Sequence, residues 1–160
     1  MSKATFYQHF DNKEEALIGV FDLATEVLRQ AIEEPLVGMS DAPALERIRV
    51  ATNAYLTVLR ENSAYFKTIL VESLAAGPEA ASRRDEILQV FSDLLDARNA
   101  IAAARGQIGR FASPHDAFAV VGAIAELITR QVRLGIPEDV FELAPVVERL
   151  IVSVAAPSPE

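Results

Sequence analysis

Apolar residues recur three and four positions apart along almost the whole chain and nowhere alternate as they would in a strand, so the periodicity predicts an all-α protein. Leu17, Val20, Phe21, Ala24, Val27, Leu28, Ala31 and Ile32 trace one face of a long first helix. Asp11 or Asn12 can cap it, with Glu14 or Glu15 respectively at the reciprocal capping-box position, and it should end near Pro35 and Gly38. A second helix is expected from about Pro43 to Arg60, with Leu45, Ile48, Tyr55, Val58 and Leu59 inward and Asp41 near its cap. A third is expected over Ser63 to Ala76, with Phe66, Ile69, Leu70 and Leu74 on one side and a stop at Gly77. Pro78 then opens a helix reaching about Arg105, with the stripe Ile87, Leu88, Phe91, Leu94, Leu95 and Ile101 and a terminating Gly106.

Ser113, Pro114 and Asp116 make the strongest start signal in the chain: a hydroxyl cap, proline in the first turn and a carboxylate near the positive end of the dipole. The helix that follows, with Ala117 to Ala125 nearly all apolar and then Leu127 and Ile128, exceeds what one core can cover. A last helix follows Gly135 and Pro137 with Val140, Leu143, Ala144, Val147, Leu150, Ile151 and Val154 inward. Surplus apolar surface on two consecutive helices predicts a homodimer through a four-helix bundle. Val120, Ala123, Ile124, Leu127, Val147, Leu150 and Ile151 are its expected interface, and the centre of a monomeric bundle is the alternative.

Composition narrows the class. At 160 residues and 51% apolar content the chain can bury one sizeable core. It has no cysteine and only two histidines, which rules out thiolate sites and makes a poor metal set, so no cofactor or metal is expected. No signal peptide is read, and the most apolar segment, Ala117 to Leu134, carries Glu126, Arg130 and Arg133. A cytoplasmic protein without a membrane partner is therefore expected. The net charge of −8 opposes DNA binding, which needs a basic footprint, but it is unevenly placed. Residues 1–13 hold Lys3 and Lys13 against Asp11 alone, so the acidity lies in the body.

Those first residues carry the most specific pattern. Residues 2–10 read as a short helix with Ser2 as cap and Phe6 and Phe10 four apart on an apolar face. Hydroxyl, imidazole and ammonium groups gather where it meets the long helix, and such groups suit phosphate oxygens. The run Ser2, Thr5, Phe6, Tyr7, His9, Phe10, Lys13, Glu14, Ala16 and Leu17 resembles, in register, the end of the helix-turn-helix of TetR-family transcriptional regulators. The first half of that motif does not appear in the sequence, and Met1 stands where the family has Val or Ile. The later segment 97–111, ARNAIAAARGQIGRF, also resembles a helix and turn of the family's body.

The resemblance implies a TetR-like division: residues 1–13 as the remnant of the DNA-reading head, 14–156 as a helical ligand-binding and dimerisation body, and 157–160 as a disordered tail. It implies base contacts from Lys3 and Ala4 and phosphate contacts from Ser2, Thr5, Tyr7, His9 and Lys13. It further implies a ligand-responsive repressor binding operator DNA as a homodimer and released by an unknown small-molecule effector, with DNA binding impaired without the upstream helices. An all-helical dimeric interaction or small-molecule-binding module without DNA function is the alternative. Tyr55, Phe66, Phe91 and Phe118 either fill a core or line the effector site, and Glu126 either pairs with Arg130 or meets the ligand. His115 reads as an exposed helix-start residue. Ser, His and carboxylate positions form no catalytic grouping and no phosphate-cradling glycine loop occurs, so an enzyme is not expected.

Overall fold

The computed structural model describes residues 13–67 and 78–155, with side chains described from residue 18 onward. The described residues form six α-helices: α1 (Lys13–Glu33), α2 (Ala44–Glu61), α3 (Ser63–Lys67), α4 (Pro78–Ala104), α5 (Pro114–Leu134) and α6 (Ala144–Val154). The described residues contain no strand, in accord with the helical periodicity. Ile69, Leu70 and Leu74 fall outside them, as do the head positions Ser2, Lys3, Ala4, Thr5, Tyr7 and His9 and the tail 157–160.

Local chemistry explains the boundaries. Ser113 caps α5 by accepting from the His115 N–H at 2.9 Å, while the Asp116 carboxylate accepts from the N–H groups of Ala112 at 2.8 Å and Ser113 at 3.1 Å. Gly135, at φ 66°, closes the same helix by donating to the Gln131 carbonyl at 2.7 Å. Gly106, also at φ 66°, ends α4 with its N–H on the Ala103 carbonyl. The single last helix expected from the sequence is instead a 3-10 turn, Val140–Leu143, followed by α6. Pro145 lacks an N–H and favours the first turn of a helix, and Asp139 caps the turn ahead of it by accepting from the Phe141 N–H. At α2, Pro43 rather than Asp41 occupies the cap position, and no side chain bonds there.

The helices form a bundle in which α4 and α5 pack most extensively, α1 lies on α2 and α4, and α6 covers α2 and α5. Phe21, Ala24, Leu56, Leu59, Phe66, Ala80, Ile128, Val140 and Leu143 make the densest core, toward the start of α4. Tyr65 ties it to α1 by donating to the Val20 carbonyl at 3.0 Å, and the Arg60 guanidinium lies 4.6 Å from the centre of the Phe141 ring. Two expected inward residues face solvent, Leu45 at 55% and Ile101 at 49% exposure. Their places are taken by the neighbouring stripes Ala44, Thr52 and Leu56 on α2 and Ser92, Asn99 and Ala102 on α4.

Part of the apolar surface that the sequence assigns to a dimer interface is used within the chain. Val120 and Val147, each 2% exposed, are already buried within their own chain. Leu127 packs on the core, and Ile124 and Ile151 line a cavity between the helices. Of the seven residues expected at a dimer interface, Ala123 is exposed and Ile124, Leu127, Leu150 and Ile151 are half-buried. These helices needed a second apolar environment, and much of it lies inside the bundle.

Candidate ligand cavity

A cavity of about 270 Å³, open on one side, runs between α1, α2, α4, α5 and α6. Its longest wall is a single face of α4: Arg84, Ile87, Leu88, Phe91, Leu94, Leu95, Arg98, Asn99 and Ala102, spaced three and four apart. At 1.5 Å rise per residue that wall is about 27 Å long. The facing wall comes from α2, with Ala44, Arg47, Ile48, Ala51, Thr52, Tyr55 and Leu59. Helix α1 contributes Phe21, Ala24, Thr25, Leu28, Ile32 and Glu33, and α5 contributes Val121, Ile124, Ala125 and Ile128.

The polar groups in this lining fall into two sets. Near the ends of α1 and α4, Arg47 donates to the carbonyls of Ser40 at 3.1 Å and Ala42 at 2.6 Å and to Gln107 Oε1 at 3.1 Å. Arg98 approaches Glu33 at 3.6 Å, and Glu33 also bonds Arg29. Asn99, 3% exposed, donates to the Gly109 carbonyl at 2.9 Å and accepts from the Phe111 N–H at 2.9 Å and from Arg110 at 2.8 Å. Arg110 in turn grips Asp96 through both guanidinium nitrogens, which holds the Asp96 carboxyl below its ordinary value. The polar groups at this end are matched within the protein.

The second set has no such partners. The hydroxyls of Thr52 and Tyr55, one turn apart on α2, make no hydrogen bond among the described residues, although Thr52 is only 4% exposed. Burial pushes the Tyr55 phenol above its ordinary value, so it stays a neutral donor. Arg84, half-buried at the other end of the α4 wall, has no ion pair or hydrogen bond among the described residues.

Of the residues expected to meet a ligand, Tyr55, Phe66 and Phe91 line this cavity together. Phe118 and Glu126 are not in its lining. Phe118 lies a turn before Val121, the first lining residue of α5, and Glu126 is two residues from both Ile124 and Ile128, hence on the solvent face. His115 is exposed at the start of α5, as read. The cations and Thr52 were missed by sequence reasoning. The available signal was register: Arg84 and Arg98 occupy the positions of α4 that continue its apolar stripe.

The described residues contain no cluster of ligands able to hold a metal ion, and no helix among them is long and apolar enough to cross a membrane. Comparison with family models, with curated proteins and with solved structures finds no match.

Proposed function

We propose that this chain is the effector-binding body of a TetR-like, ligand-responsive transcriptional regulator, a repressor acting on operator DNA as a homodimer. The observation that carries the reading is the elongated cavity, walled on one side by α1, the helix that continues directly from the head pattern at residues 2–13. A ligand between α1, α2 and α4 touches the element to which a DNA head would be attached. Such a ligand regulates only if it favours one setting of α1 over another. The hydroxyls of buried Thr52 and half-buried Tyr55 offer it hydrogen bonds that the protein leaves unused.

The reading assigns base contacts to Lys3 and Ala4 and phosphate contacts to Ser2, Thr5, Tyr7, His9 and Lys13. A nine-residue helix is marginal alone, so tight operator binding is assigned to a form in which further helices pack against it. The acidic body favours a second reading, an all-helical dimeric module that binds small molecules without DNA, because a net charge of −8 repels phosphate.

Selection from a random duplex pool, with the protein isolated from its own cells, separates the two. Recovery of a palindromic site supports the regulator. On that site Tyr7→Phe or Lys13→Ala should weaken binding across sequences and lower its salt slope by about 1, whereas changes at Lys3 should alter base preference. Retention of no duplex by a folded protein would leave the second reading in place.

A further inference from the structure

The cavity lining contrasts with the molecule that contains it. The whole chain carries −8, yet the cavity is lined by three arginines against one glutamate. Two of those arginines are committed: Arg47 to backbone carbonyls and Gln107, and Arg98 to Glu33. Arg84 is not. A half-buried guanidinium with no acceptor in the protein keeps its donor fork available, and a planar carboxylate is the acceptor that fork fits. From Arg84 the same face of α4 continues as Ile87, Leu88, Phe91, Leu94 and Leu95, an uninterrupted apolar wall about 16 Å long by helical rise.

Resting on the effector reading above, we propose that the cavity takes an elongated, largely apolar organic carboxylate, with its acid group on Arg84 and its chain along α4 toward Leu95. The orientation follows from the two ends. Toward Arg98 the carboxylate of Glu33 would repel a second acid, and Asn99 has both of its polar atoms engaged within the protein. The Thr52 and Tyr55 hydroxyls flank the body of the chain, where an oxygen substituent would find a donor.

Calorimetric titration of the full chain with n-decanoate and with n-decanol tests this, since the two differ at the head group alone. Decanoate should bind more tightly than decanol by about tenfold or more, and Arg84→Gln should remove that preference while leaving decanol affinity within about twofold. Arg84→Lys should keep part of it, and Arg98→Gln should keep it whole. Equal affinities for acid and alcohol, or a preference that survives Arg84→Gln, would overturn the assignment of the acid to Arg84 and leave the cavity as an apolar site. Binding of neither would overturn the ligand class. The effector reading itself stands or falls on the duplex selection, whatever the calorimetry returns.

Discussion

The two ends of the cavity are built from the same residue types on the same helix and treat them oppositely. At the Arg98 end every polar group described has a protein partner, and those partners join segments far apart in sequence: Arg47 and Arg105 both reach Ser40, and Asn99 and Arg110 hold the loop after α4 against its last turns. At the Arg84 end, and along the wall through Thr52 and Tyr55, polar groups are presented to the space without partners among the described residues. Matched groups close and stiffen a structure, whereas unmatched ones are useful only when something arrives. An arginine in a helix stripe is thus a clamp or a receptor according to what surrounds it, not according to its own chemistry.

The matched end should be where stability is concentrated. Asn99→Ala strips three hydrogen bonds at once and leaves the Phe111 N–H buried without an acceptor, so urea unfolding should show a loss of about 3 kcal/mol. A loss below about 1 kcal/mol would mean that Asn99 is not the clamp and that the two ends differ less than their geometry indicates.

The Tyr55 phenol gives a smaller effect with a definite sign. Burial raises its pKa above the ordinary value of about 10, so above that pH the unfolded chain ionises while the native phenol remains neutral. Its contribution is fully present below pH ~10 and is lost as the pH rises further, at up to about 1.4 kcal/mol per pH unit. Tyr65, whose phenol burial also raises, adds loss of the same sign. Between pH 9 and 11, Tyr55→Phe should therefore lose less stability than the parent by about 1 kcal/mol, measured as the shift in urea midpoint. Parallel decline of the two proteins would show that water reaches the hydroxyl freely and that the middle of the cavity is wet.

How much of this was legible beforehand depends on whether the cause is local. The Ser113, Pro114 and Asp116 start was readable because each residue acts within one turn. So was the stripe from Ile87 to Leu95. What periodicity could not distinguish is a stripe that fills a core from one that lines a space, since both require the same spacing. Phe91 and Ile124 have identical signatures under either arrangement, and Val120 on α5 and Val147 on α6, both read as interface positions, are buried within the chain. Leu45 and Ile101 were misplaced by one position of rotation, which only the packing of α1 and α5 decides. Asn99 was invisible for a related reason: its partners at Gly109, Arg110 and Phe111 depend on how the loop returns.

The smallest predicted change carries the most discrimination. If Arg84 has no role in holding the fold, Arg84→Gln should leave unfolding stability within about 0.5 kcal/mol of the parent in the absence of ligand. Relieving a half-buried charge of its desolvation could even raise it slightly. The same substitution at a clamp would lower it. Saturating n-decanoate should then stabilise the parent more than the variant, because only binding that favours the native state adds to its stability. A guanidinium that costs nothing to remove and yet determines the response to a carboxylate is defined by its ligand. One whose removal destabilises the empty protein would belong with Arg47 and Arg98, and the two ends of the cavity would then be alike.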